Sequence, residues 1–135
     1  MTELTLQKKF LSVLNNKNKP WGKLKYIEEF NYSGGRTDVI AIDKLKTLYA
    51  FEIKLEKWKV ALNQAYRNTS FANKSYVVLP KNIATRAVKH EYQFKRRSVG
   101  LCYLEGEKII ELLDSHQNKP IMGWLNNRAR NSIVK

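Results

Sequence analysis

The stretch from Gly34 to Lys54 constrains the fold of this chain more than any other. It reads Gly34-Gly35-Arg36-Thr37-Asp38-Val39-Ile40-Ala41-Ile42, then Asp43-Lys44-Leu45-Lys46-Thr47, then Leu48-Tyr49-Ala50-Phe51-Glu52-Ile53-Lys54. Side chains alternate across a strand, so Asp38, Ile40 and Ile42 fall on one face and Thr37, Val39 and Ala41 on the other. In the second segment Leu48, Ala50, Glu52 and Lys54 share a face, and Tyr49, Phe51 and Ile53 the opposite one. Both faces are apolar except at one end. Strands of this kind need cover on both sides, so the hairpin must be an inner layer of the fold.

The charged end is the second constraint. Pairing Ile42 with Leu48 leaves a five-residue loop, and Ile40 then faces Ala50, Asp38 faces Glu52 and Arg36 faces Lys54. Directly opposed side chains have Cβ atoms about 5 Å apart, and like charges at that distance destabilise a sheet. A bound cation reverses the sign of that interaction. A lone Glu-x-Lys on a strand ordinarily marks a solvated face. Here the charges cap a hairpin expected to be covered on both sides, where charged groups are paired or coordinate metals. Two acids and a lysine converging there fit a divalent metal held beside a phosphodiester.

The remaining chain supplies the cover. Thr2 to about Asn15 reads as a helix with Thr2 as N-cap and Leu4, Leu6, Phe10, Leu11, Val13 and Leu14 as its apolar face. Residues Asn15 to Pro20 read as a loop. Lys23 to Tyr32 alternates as a first strand, with Leu24, Tyr26, Glu28 and Phe30 on one face and Glu29 on the other; Ser33-Gly34-Gly35 turns into the hairpin. Trp58 to Ala72 reads as a helix through Trp58, Leu62, Ala65, Thr69 and Ala72, and Ser75 to Pro80 as a short apolar strand. Strand, helix, strand implies a right-handed crossover to a parallel neighbour. A third helix is predicted from about Ile83 to Arg97, closing strands at Val99–Leu104 and Lys108–Leu112, and a short basic helix within Pro120–Lys135. The order is α-β-β-β-α-β-α-β-β-α, an α/β architecture in which a mixed sheet is flanked by helices, expected as one domain over residues 1–135.

Composition narrows the partners. Twenty-five Lys and Arg against 12 acids give a net charge of +13, spread along the whole chain, which points to a polyanion. Nucleic acid fits better than a membrane surface, because no basic helix with a broad apolar face stands out. No apolar run is long enough to span a bilayer, and the N-terminus lacks the pattern of a signal peptide, so a cytoplasmic protein is expected. Cys102 is the one cysteine, which excludes an intrachain disulfide and a cysteine zinc cluster; it reads as a core residue. His90 and His116 are too few and too far apart for a histidine metal site, and His90 falls on the stripe Ile83, Ala87, His90, Phe94.

The order helix, three antiparallel strands, helix, strand, with Asp38, Glu52-Ile53-Lys54 and a helical Gln64, resembles the PD-(D/E)XK nuclease superfamily, the restriction-endonuclease-like folds. The resemblance covers roughly Glu3 to Pro80, and in length and charge the chain is similar to small Holliday-junction resolvases and phage-type nucleases. It implies Asp38 and Glu52 as metal ligands, with the carbonyl of Ile53, and Lys54 as the group that orients or activates the attacking water. Such sites are often completed by an acid on the first helix, here Glu3, with Glu28 as a rival. Gln64 would contact the site or the substrate. In one branch of the family a Tyr follows that Gln by four residues; here the position is Asn68. Thr37 replaces the proline before the first acid.

Magnesium, with manganese as a substitute, is the cofactor implied, since it takes oxygen ligands from one or two carboxylates. The leading expectation is a metal-dependent DNA endonuclease, acting on branched or structured DNA. One site cuts one strand, so a homodimer is expected for symmetric cutting. The alternative is a non-catalytic or accessory nucleic-acid-binding domain, which would bind DNA in a salt-sensitive way without turnover.

Overall fold

The computed structural model describes residues 1–15 and 20–134, so most of the loop expected at Asn15–Pro20 lies outside the described residues. Among the described residues twelve elements follow one another: α1 (Glu3–Leu14), β1 (Lys25–Tyr32), β2 (Gly35–Ile42), β3 (Leu48–Ile53), α2 (Trp58–Asn68), β4 (Lys74–Leu79), α3 (Lys81–Ala87), a 3-10 turn (Val88–His90), α4 (Glu91–Arg96), β5 (Val99–Glu105), β6 (Lys108–Leu113) and α5 (Gly123–Val134). The third predicted helix is thus three pieces, and its tightened turn lies where the His90 ring stacks on Trp58 at 5.1 Å.

One six-stranded sheet runs β1-β2-β3-β4-β5-β6. The first three strands form an antiparallel meander, β4 and β5 add in parallel after helical crossovers, and β6 returns antiparallel. Ile42 pairs with Leu48 and Ile40 with Ala50, the register expected from the sequence. Asp43 shapes the five-residue loop: its Oδ1 accepts from the backbone N–H of Leu45 and of Thr47, both at 2.9 Å.

Both faces of the sheet are covered, as the doubly apolar hairpin demands. On one side α1 buries Leu6, Phe10, Leu11, Val13 and Leu14 against Val39, Ala41, Tyr49, Phe51 and Ile53. On the other, α2, α3 and α4 cover Val77, Leu79, Leu101 and Tyr103, while α5 covers Ile40, Ile42, Leu48 and Ala50 through Leu125, Ala129 and Ile133. Leu4 departs from the expected apolar face of α1 and is 59% exposed. It lies only about 20° round the helix from the buried Leu11, but in the first turn, where it lines a cleft with Glu3, Gln7 and Glu28.

A second departure bears on the site. Leu24 and Tyr26 pack with α1, but Phe30 packs on the opposite side with Ile40 and Phe71, so the expected common face of β1 breaks between Tyr26 and Phe30. The cause is Glu29, which adopts a left-handed backbone conformation (φ 57°) and has no ladder partner in β2. Non-glycine residues rarely occupy that region, and when they do inside a strand the side-chain alternation is interrupted. By constant register the residue opposite Glu29 is Asp38.

Candidate active site

The β2–β3 ladder stops at Val39–Phe51, so Asp38 and Glu52 are not the ladder pair that the extended register predicts, nor are Arg36 and Lys54. The break at Glu29 releases Asp38 from regular pairing, and its Oδ2 instead accepts from the backbone N–H of Ile53 at 2.9 Å. The two carboxyls still meet at one cleft, where the Asp38 charge acts on Glu52. Thr37 likewise leaves the face it was expected to share with Val39 and Ala41. It turns toward α2, where its hydroxyl donates to Asn68 Oδ1 at 2.8 Å.

Glu52 is the most perturbed acid. It is 2% exposed. Burial, followed by the adjacent Asp38 charge, pushes its pKa from an ordinary 4.5 up to about 8, against the opposing hydrogen bond from Asn68. Asn68 Nδ2 donates to Glu52 Oε2 at 2.7 Å, while Asn68 Oδ1 receives the hydroxyls of Thr37 and of Tyr32 at 2.8 and 3.0 Å. The amide therefore fixes Glu52 from the α2 side, with both its donor and acceptor ends engaged.

These groups open onto a cleft of about 330 Å³, lined by Glu3, Arg36, Asp38, Glu52, Lys54, Gln64 and Arg67. It sits at the end of β3, where the N-terminus of α1 and the flank of α2 approach each other. Glu3 Oε1 lies 3.9 Å from Lys54 Nζ, so the helix acid and the lysine just past β3 meet across the cleft mouth. Arg36 pairs with Glu29 at 3.6 Å. Glu28 accepts a hydrogen bond from Gln7 at 3.0 Å and lines an adjoining cleft with Glu3, Glu29 and Asp38, but it does not line the cleft that holds Glu52 and Lys54. Asp38, Glu52, Lys54, Glu3 and Gln64 are thus brought together.

Arg67 and the buried Asn68 were not singled out as site residues by sequence. Arg67 Nε donates to the Tyr32 hydroxyl at 3.2 Å, and its guanidinium lies over Gly35, where an added Cβ would come within 2.6 Å of Arg67 Cζ. The signal was helical spacing: Arg67 and Asn68 follow Gln64 by three and four residues, which puts all three on neighbouring positions of α2.

Among the described residues no group of three His, Cys, Asp or Glu gathers in a form that could hold a metal by itself. The donor set at Asp38 and Glu52 suits magnesium nonetheless, because that ion is bound through one or two carboxylates with water and substrate phosphate completing its shell. Ile53 N–H and Asn68 Nδ2 engage one oxygen of each carboxylate, leaving Asp38 Oδ1 and Glu52 Oε1 for a cation.

No protein-family model matches the chain, and no curated protein matches it. Among solved structures it is similar to the SPO1766 protein of unknown function from Silicibacter pomeroyi, at 12% identity and a TM-score of 0.58, covering 82% of this chain and 69% of that one. At that identity the likeness concerns the fold alone.

Proposed function

We propose that the chain is a magnesium-dependent endonuclease that hydrolyses phosphodiester bonds in DNA, on the plan of the PD-(D/E)XK nucleases. The observation that carries this reading is the Asp38–Glu52 carboxyl pair meeting Lys54 in a cleft rimmed by Arg36, Gln64 and Arg67. Burial and the neighbouring Asp38 charge raise the Glu52 pKa to about 8, so Glu52 is held largely protonated at neutral pH unless a cation replaces the proton.

Asp38 Oδ1, Glu52 Oε1 and the Ile53 carbonyl would hold the ion, which when bound supplies charge to a phosphoryl oxygen and lowers the pKa of a water. Lys54 places a positive charge beside the phosphate as negative charge develops on its oxygens, and it orients the attacking water. Glu3 positions Lys54 across the cleft mouth. Arg36 and Arg67 bind phosphate oxygens, for which the guanidinium fork is suited. Asn68 prevents Glu52 from turning away from the cleft. Water oxygen forms the new bond to phosphorus and gives up a proton, the bond to the departing sugar oxygen breaks, and that oxygen takes up a proton from solvent to leave as a hydroxyl. No helix among the described residues is long and apolar enough to cross a membrane, and a cytoplasmic enzyme acting as a homodimer accords with this reading.

The test is a cleavage panel of linear, nicked, single-stranded, flap and four-way DNA, with magnesium against EDTA, and manganese as substitute. Asp38→Asn and Lys54→Ala should abolish cutting without lowering the melting temperature. Cutting that persists in either purified variant would remove the site assignment. Light scattering at assay concentration reads the dimer, and a monomer mass would count against it.

A further inference from the structure

Arg67 belongs to two cavities. Besides the cleft that holds Asp38 and Glu52, it lines a groove of about 400 Å³ with Tyr32, Gly34, Tyr66, Ser70 and Met122. One wall is rigid: the Tyr32 ring meets Phe71 edge-on at 4.9 Å, and its hydroxyl is tied to Asn68 and Arg67. Two further lining residues are tied together, the Met122 N–H donating to the Ser70 carbonyl at 2.9 Å. Tyr66 stands beside them with its side chain 54% exposed. The groove is therefore walled by aromatic and apolar groups, opens to solvent, and is continuous through one guanidinium with a cleft suited to a phosphodiester.

Resting on the nuclease reading, we propose that this groove accepts one unstacked nucleobase of the nucleotide adjoining the phosphate in the cleft. Arg67 spans the two, binding the intervening backbone, while the Tyr66 ring offers a stacking face. A base within a continuous duplex is stacked on both sides and cannot enter. The substrate class that follows is DNA with an unpaired nucleotide beside the cut: a single strand, a flap or a branch point. The chemistry is that of single-strand-binding proteins, in which a cationic track follows the backbone and aromatic side chains stack on bases. A net charge of +13 complements the strand.

The experiment has a binding arm and a cutting arm. Without divalent metal, a single-stranded oligonucleotide carrying 2-aminopurine is titrated with the wild type, Tyr66→Ala, Tyr66→Phe and Asp38→Asn. Quenching is expected with the wild type, Tyr66→Phe and Asp38→Asn. Tyr66→Ala should lose it and bind roughly 5- to 150-fold more weakly, the range for loss of one base–aromatic stack. An abasic strand should bind the wild type as weakly as the base-bearing strand binds Tyr66→Ala. With magnesium, flap and single-stranded DNA should be cut in preference to blunt duplex, and Tyr66→Ala should erase that preference. Equal affinity for abasic and base-bearing strands, or an unchanged Tyr66→Ala, overturns the proposal and returns the groove to some other partner. Tyr66-dependent quenching without any cleavage would refute the nuclease reading while upholding the groove.

Discussion

Replacing Glu52 with glutamine should stabilise the protein while destroying the proposed site, and the effect should depend on pH in a defined way. Glu52 has a pKa of about 8 in the folded chain against an ordinary 4.5. The folded state therefore holds this proton more tightly than the unfolded one. The corresponding stability is fully present below about pH 4.5 and is lost as pH rises toward 8. At 1.36 kcal/mol per pH unit the loss is about 3 kcal/mol at pH 7 and about 5 kcal/mol above pH 8. Glutamine carries no proton to lose. Its carbonyl can accept from Asn68 Nδ2 and its amide can donate to Asp38, so the packing is kept. Glu52→Gln should thus equal the wild type near pH 4 and exceed it by about 3 kcal/mol at pH 7, roughly 10 °C in Tm for a chain of this size. Urea unfolding from pH 4 to 9 measures the difference directly. Parallel curves for the two proteins, or a variant weaker than the wild type at pH 8, would refute the placement of Glu52 as a buried acid opposed by Asp38.

Other perturbations probe the surrounding structure. Magnesium should raise the wild-type Tm more at pH 8 than at pH 6, because ion and proton compete for Glu52, and should have no such effect on Glu52→Gln; thermal melts at millimolar metal decide. Asn68→Ala strips the acceptor from the Thr37 and Tyr32 hydroxyls and the donor from Glu52, at a cost of about 2–4 kcal/mol by urea unfolding. Gly35→Ala places a Cβ 2.6 Å from the Arg67 guanidinium carbon at a backbone φ of +144°; it should weaken DNA binding in a salt titration as well as lower stability by about 1 kcal/mol. Gly100→Ala sets a Cβ 2.6 Å from the Leu113 carbonyl oxygen, which cannot swing aside, and should cost about 3 kcal/mol or prevent soluble expression.

The elements were legible because each rests on local periodicity. The doubly apolar hairpin required two covering layers, and α1 on one side with α2 to α5 on the other supply them. Hairpin register was readable from Ile42 to Ile40 because a five-residue loop and two buried faces leave little freedom. The Thr2 cap also was, its hydroxyl accepting from Thr5 N–H at 3.1 Å. What failed was extrapolation of that register to the charged end. Strict alternation assumes an unbroken ladder, and Glu29 breaks it through a backbone conformation that no side-chain pattern announces. Phe30, Thr37 and Asp38 all depart from their expected faces or partners around that one residue.

By itself the sequence determined which residue types could meet: an α/β fold with a mixed inner sheet, two acids and a lysine at one end of its central hairpin, and an excess of positive charge. Tertiary structure alone decided how they meet. It left Glu28 with Gln7 and brought Glu3 to Lys54, because that choice depends on where the first helix ends over the sheet. It made Asn68 the partner that holds Glu52, and Arg67 the link between cleft and groove, because both contacts join segments far apart in the chain. Periodicity specifies which face of an element is buried; the partners found at its end are fixed only when the elements pack.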